Sequence, residues 1–417
     1  VPLKVAVSSS RPLTYGIVQA GEHFVDGVPY IRPVDMDGHN GVRLEGLRRT
    51  DPSIAQAYRR SSLHAGDIVV SIGPSFGKTM EITRDLVGAN LTQGTARVAP
   101  APGIDGRYLR WVLQSHDVLS YWDATSGGST FRALNLGPLG RTPIPSHPLV
   151  VQRAIADHLD RETAQIDAFI AKNEELITLL TERRGSVIRQ ATTVGFGERG
   201  ELIESKLDGV GLIPRDWRVM RLSWLFNQSA SGTTPSSELV LDGEEADVSW
   251  VTTGELRERT ITSTKKGISA GTVRATPALK VHPLGSLLVA MYGATIGRTG
   301  VLAVPAASNQ AVCALSGPVG CDVEFIEYAL IAARERLLLA AVGGGQPNIN
   351  QEMIRAFRIP VPSLAEQRCI VQELRGRLSE LDHAISVAGK GIELARERRA
   401  AVISAAVTGQ IDVGVAT

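Results

Sequence analysis

Two kinds of stretch in this chain carry residue types that bind phosphate or read polar edges. Gly73-Pro74-Ser75-Phe76-Gly77-Lys78-Thr79 has the glycines, lysine and hydroxyl of a nucleotide phosphate loop, in which backbone N–H groups cradle the phosphates and the lysine neutralises them. That loop needs four residues between its glycines, and here there are three. A second copy, Gly293-Ala294-Thr295-Ile296-Gly297-Arg298-Thr299, follows Tyr292 and has Arg298 where the lysine would be. Spacing and substitution both argue against a nucleoside triphosphate. The pair reads instead as a recurring strand-end turn, with Lys78 and Thr79 in one copy, and Tyr292, Arg298 and Thr299 in the other, facing either a polyanion or solvent.

The second kind is glycine-rich. Ser126-Gly127-Gly128-Ser129-Thr130-Phe131-Arg132 and Gly343-Gly344-Gly345-Gln346-Pro347-Asn348-Ile349-Asn350 occupy equivalent places in the two halves of the chain. Ser129, Thr130 and Arg132 in the first, and Gln346, Asn348 and Asn350 in the second, are side chains that read base edges: Arg pairs with guanine, Asn and Gln with adenine. Ser, Gly and Asn are also ordinary turn residues, so a connecting loop is the alternative. Different residues in equivalent loops suit two domains with one role and two preferences.

A catalytic constellation is not legible. The eight histidines make no HExxH or other ligand pair, and His23, His39, His64 and His116 read as surface or core-edge residues. There is no GxGxxG that follows a strand and opens a helix. Cys313, Cys321 and Cys369 form no CxxC, and an odd number of thiols fits a reducing compartment. With 417 residues, 43% apolar and 21% charged, the composition is globular, with room for two or three domains. A net charge of +1 decides nothing about nucleic acid, because binding depends on how Lys and Arg cluster. No apolar run reaches the length of a membrane span or signal segment, so a cytoplasmic protein is expected. The absence of an initiator Met, and the alignment of the second half from Val219 onward, lead us to expect a few residues before Val1.

What must position these loops is a repeated helix. From 148 to 193 the chain reads as one rod of about 69 Å, with Pro148 suited to its first turn. Leu159, Ile166, Leu180 and Val187 fall on a seven-residue track, with Ile155, Phe169 and Leu176 beside it. Adding 215 carries Gln152-Arg153 onto Gln367-Arg368, Ile166-Asp167 onto Leu381-Asp382 and Glu182-Arg183-Arg184 onto Glu397-Arg398-Arg399 without a gap. The second copy keeps Leu374, Leu381 and Val402 on its track, with Ile370, Leu378, Ile385 and Ile392 adjacent. Asn173 lies on the first track, where it either sets register or faces solvent. The Glu-Arg-Arg triplets are either solvated faces or docking charges.

The segments before the helices repeat as well, at offsets of 219 or 220: Tyr30-Ile31 with Trp250-Val251, Gly66 with Gly285, and Asn90 with Asn309. Strands are expected at 28–32 and 67–72, and a helix over 108–119. The fold class is mixed α+β, a tandem repeat in which each α/β domain is followed by a long helix. The expected divisions are a first domain at 1–146, a helix at 147–194, a linker at 195–210, a second domain at 211–361, a helix at 362–409 and a tail at 410–417.

This pattern resembles the specificity subunit of type I restriction-modification enzymes, over nearly the whole chain. The most specific marks are Ile359-Pro360-Val361-Pro362-Ser363-Leu364-Ala365-Glu366-Gln367-Arg368-Cys369-Ile370, like the family's entry into its conserved helix, and the stretch from Glu397-Arg398-Arg399 to Val407-Thr408-Gly409, like that helix's end. The first helix departs by lacking the Glu before Gln152. The resemblance implies two target-recognition domains, each reading half of a split site on double-stranded DNA. It implies that the two helices pack as an antiparallel coiled coil, set the spacing and dock the methyltransferase subunits. It further implies two methyltransferase subunits and, for cleavage, two restriction/translocase subunits. S-adenosylmethionine, ATP and Mg would belong to those partners, leaving this chain non-catalytic, with no metal and no membrane. On this reading Lys78, Arg132 and Arg298 hold phosphates, and the loop Ser, Thr, Asn and Gln read bases. Two other readings stay open: a specificity protein for a methyltransferase without nuclease subunits, and a coiled-coil scaffold unrelated to DNA.

Overall fold

The structure is a computed structural model that describes residues 1–37, 41–42, 44–73, 76–126, 133–197, 200–341 and 348–414. It forms two compact units, one of residues 1–175 with 388–417, the other of residues 176–387. Each takes one mixed domain and part of both long helices.

In the first unit, a four-stranded sheet runs in the order Thr14–Tyr15, Thr95–Val98, Ile68–Ser71, Thr79–Glu81, antiparallel throughout. Its central strand follows from its residues. Ile68, Val69 and Val70 are β-branched and wholly buried, and strand alternation sends Ile68 and Val70 into one apolar cluster and Val69 into another. A smaller sheet, Arg49–Thr50, Val28–Ile31, Asn90–Leu91, covers the second cluster. The second unit repeats the plan. Leu287 and Val289 face one core while Leu288 and Ala290 face another. Its sheets keep the same order and each gains an edge strand, Arg259–Ile261 on the larger and Leu241–Asp242 on the smaller.

One close approach is shared and explains two glycines. A Cβ on Gly16 would sit 2.0 Å from the Leu91 carbonyl oxygen, and one on Gly232 would sit 1.9 Å from that of Ser308. Only glycine lets the backbone pass there. This contact corrects the repeat register. Leu91 corresponds to Ser308, Tyr30 pairs with Asn90 and Trp250 with Ala307, so Asn309 is not the counterpart of Asn90. Asn90 is buried and accepts from Ser61 at 2.5 Å, a role that Ala307 cannot repeat.

Two other expectations change. The helix expected over 108–119 is two helices, Gly106–Leu113 and His116–Thr125. Ser115 ends the first by donating to the Val112 carbonyl. The segment expected as a linker holds a strand, Leu202–Glu204, paired antiparallel with Leu212–Pro214. Gly209 and Gly211, both at positive φ, make its reversal.

The long helices run over Leu149–Thr193 and Leu364–Val407 and pack antiparallel as a coiled coil, one copy of the contact in each unit. In the first unit Ile155, Ala156 and Leu159 close the core together with Ile403, Ala406 and Val407. In the second, Ile370, Val371 and Leu374 do so with Val187, Ile188 and Ala191. All but Val407 and Val187 are equivalent at the offset of 215; Val187 corresponds to Val402, which packs against the first core.

Candidate nucleic-acid interface

The two strand-end turns are β-hairpin turns, with Gly77 and Gly297 at positive φ. Thr79 and Thr299, expected to face a polyanion, are buried at 1% and 0% exposure. The Thr79 hydroxyl accepts from Gln114 Nε2 at 2.7 Å, and that of Thr299 donates to Glu327 Oε1 at 3.1 Å. Both threonines are internal ties, because each is paired in register with the fully buried central strand. The half-buried Lys78 turns inward too, donating to the carbonyls of Met36 at 2.7 Å and Pro33 at 3.3 Å. Arg298 is half-buried, and Tyr292 stays 42% exposed, bridging through its backbone to Asn348.

Of the loop residues, Ser129, Thr130, Arg132 and Gln346 lie outside the described residues, as does His39. Asn348 is exposed. Asn350 caps the helix Gln351–Ala356, its side-chain oxygen accepting from the Met353 N–H at 2.8 Å. Tyr292, Asn348 and Asn350 therefore share one edge of the second unit, and Arg298 lies further along the turn that Tyr292 begins.

A second charged surface lies elsewhere in that unit, among residues that were not candidates from the sequence. An open cleft of 940 Å³ is lined by the cations Arg257, Arg259 and Lys265, by the acids Asp242, Glu244 and Glu255, and by the hydroxyls from Thr260 to Thr264. Lys266 lines the adjoining cleft, beneath Trp250. Arg257, Arg259, Lys265 and Lys266 are all exposed. Glu255 is held back by local bonds: its carboxylate accepts from the N–H groups of Thr252 and Lys265, both at 2.8 Å. Four cations interleaved with hydroxyls are the side chains that hold a sugar-phosphate backbone. The signal was present as Arg-x-Arg followed by Lys-Lys within ten residues, around a Thr/Ser run.

Each domain is fixed to its helix by a buried glutamine. Gln152 Oε1 accepts from the Asp105 N–H at 2.9 Å while its Nε2 donates to the His147 carbonyl at 2.8 Å. Gln367 repeats this with Asp322 at 2.8 Å and Pro362 at 2.9 Å. Asp105 and Asp322 are themselves the N-caps of Gly106–Leu113 and Val323–Ala332. The repeated Gln-Arg of the sequence is thus a clamp that ties two helix starts together.

Residues 214–386 match the family model for the type I restriction modification DNA specificity domain. The match takes in the second mixed domain and the first part of the helix that follows it, about two fifths of the chain. It is 29% identical over 198 residues to the EcoBI specificity subunit of Escherichia coli, covering 47% of this chain and 40% of that one. It is 24% identical over 280 residues to the MjaVIII specificity subunit of Methanocaldococcus jannaschii, covering 65% and 62%. The chain thus matches less than two thirds of the length of either relative. Among solved structures, a chain from a study of the complex assembly and conformational transition of the type I R-M system has the same fold, with a TM-score of 0.75 at 16% identity over 99% of this chain and 97% of that one. The HsdS subunit from Thermoanaerobacter tengcongensis follows at 0.54, also with 16% identity, over 99% and 96%.

The charged triplets turn out to be partly internal. Arg184 pairs with Asp382 at 3.0 Å, and its counterpart Arg399 pairs with Asp167 at 2.9 Å. The offset of 215 exchanges the members of the two pairs, so one cross-helix contact is made twice. Asn173 donates to the carbonyl of Phe169 in its own helix, leaving register to the apolar track and these ion pairs. Among the described residues, no group of three His, Cys, Asp or Glu is placed to hold a metal, and no helix is long and apolar enough to cross a membrane.

Proposed function

We propose that this chain is the DNA-recognition subunit of a type I restriction-modification complex, each mixed domain reading one half of a bipartite site. The observation that carries the reading is the duplicated specificity-domain plan, with four exposed cations and a hydroxyl run on the second copy. On this reading Arg257, Arg259, Lys265 and Lys266 hold phosphates, and the edge formed by Tyr292, Asn348 and Asn350 meets bases. Lys78, Thr79 and Thr299 serve the scaffold. The chain itself recognises and does not catalyse. Methyltransferase subunits bring S-adenosylmethionine, and any restriction subunits bring ATP and Mg. Leu179 and Leu394, equivalent at the offset of 215, are 55% and 65% exposed, and such a repeated apolar contact suits two copies of one partner.

The test is single-molecule mapping of N6-methyladenine in cells that express the cognate methyltransferase with and without this chain. A two-part methylated motif present only with the chain is expected. Identical methylation in both, with the methyltransferase active, would refute the reading.

A further inference from the structure

The two domains sit on their helices through the same shape and opposite charges. The glutamine clamp fixes the correspondence: Asp105 matches Asp322, so Arg107 matches Glu324, Arg110 matches Glu327, and on the helices Asp160 matches Arg375. In the first unit Arg107 Nη1 lies 2.8 Å from Asp157 and 2.9 Å from Asp160. Arg110 approaches Asp160 at 3.4 Å, and Trp111 Nε1 donates to the same carboxylate at 2.8 Å. In the second unit the polarity is reversed: Glu324 receives both Nε, at 2.8 Å, and Nη2 of Arg375. Asp157 has the neutral Gln372 as its counterpart. The deeper members, Arg110 and Glu327, are 5% and 6% exposed, where an unmatched charge is costly.

The remaining contacts do not distinguish the two seats. Both present a buried glutamine to an N-capping aspartate, and both bury the same ring of aliphatic positions. A first domain placed on the second helix would keep the clamp but set Arg107 and Arg110 against Arg375. A second domain on the first helix would set Glu324 against Asp157 and Asp160. We propose that this inverted charge pattern assigns each domain to its own helix, rejecting the wrong occupant of an otherwise interchangeable seat, both within one chain and between two copies. The inference stands independently of what the domains bind.

It is tested with full-length chains in which residues 1–146 and 211–361 trade places. One is otherwise unaltered, and the other also carries Asp157→Gln, Asp160→Arg, Gln372→Asp and Arg375→Asp, so that each helix matches its new domain. The uncorrected exchange is expected to unfold about 4 °C or more below the parent and to form domain-swapped dimers in light scattering. The corrected exchange should recover to within about 2 °C and to the parent's mass. An uncorrected chain as stable as the parent, or a correction without effect, overturns the proposal. Should neither exchanged chain fold, the parent decides: Arg375→Asp should lower the midpoint and Glu324→Arg/Arg375→Asp should restore it, and failure to restore it counts equally against the idea.

Discussion

Glu327 shows how a single side chain registers the difference between the two halves. It is buried where its counterpart is Arg110, and burial, opposed by the Thr299 hydroxyl and reinforced by Glu324 and Glu258, pushes its carboxyl up to about 7. The folded chain therefore holds this proton more tightly than the unfolded chain, whose carboxyl titrates near 4.3. Stability is favoured below that value and is lost as pH rises through about 7. Glu327→Gln keeps an oxygen for Thr299 and removes the titration. It should stabilise the protein by about 1–3 kcal/mol at pH 8 relative to the parent and by close to nothing at pH 4, read from denaturant midpoints at both pH values. None of this could be seen in the sequence, where Glu327 is one acid among 43. Thr79 and Thr299 failed as candidate contacts for the same reason: a hydroxyl beside a basic residue looks exposed until the strand that buries it is paired.

At the scale of elements, periodicity in the sequence found both long helices to within about two residues, since 45 residues of apolar spacing leave little ambiguity. It was less informative about depth. Among the expected seam residues, Ile155, Leu159 and Leu374 are fully buried, whereas Phe169, beside the track, is 48% exposed next to Gly391. Those three belong to the domain cores of their units, whereas Ile166 and Ile392 are buried at 7% and 6% exposure outside those cores. The clamp shows the complementary limit. Gln152 and Gln367 were conspicuous as a repeat, yet their partners lie 47 and 45 residues away and are backbone groups, which leave no mark in the sequence. Gln367→Leu preserves helix propensity and approximate volume while stranding the Asp322 N–H and the Pro362 carbonyl. It should cost about 2–4 kcal/mol, measured by denaturant unfolding, with far-UV dichroism showing the native helix content before the transition.

For the whole molecule, duplication is the organising fact, and the repeat made it legible without any structure. The units share strand order, glycine approach, clamp and core, and they differ where recognition would require it: added edge strands, a basic arm at Arg257 to Lys266 on the second unit, and inverted seat charges. That distribution of sameness and difference yields the last prediction. A chain whose residues 211–361 are replaced by the equivalent domain of a relative, with Glu324, Glu327 and Arg375 retained at the seat, should direct its methyltransferase to a site altered in one half only. The other half and the count of intervening bases should be unchanged, because the first domain and both helices are untouched. Methylome sequencing reads both halves in one experiment. An unaltered motif would place recognition outside the second domain, and a change in both halves would mean that the two domains do not read independently. Omitting the seat residues from the same exchange separates docking from reading, since a domain that cannot seat should abolish methylation rather than redirect it.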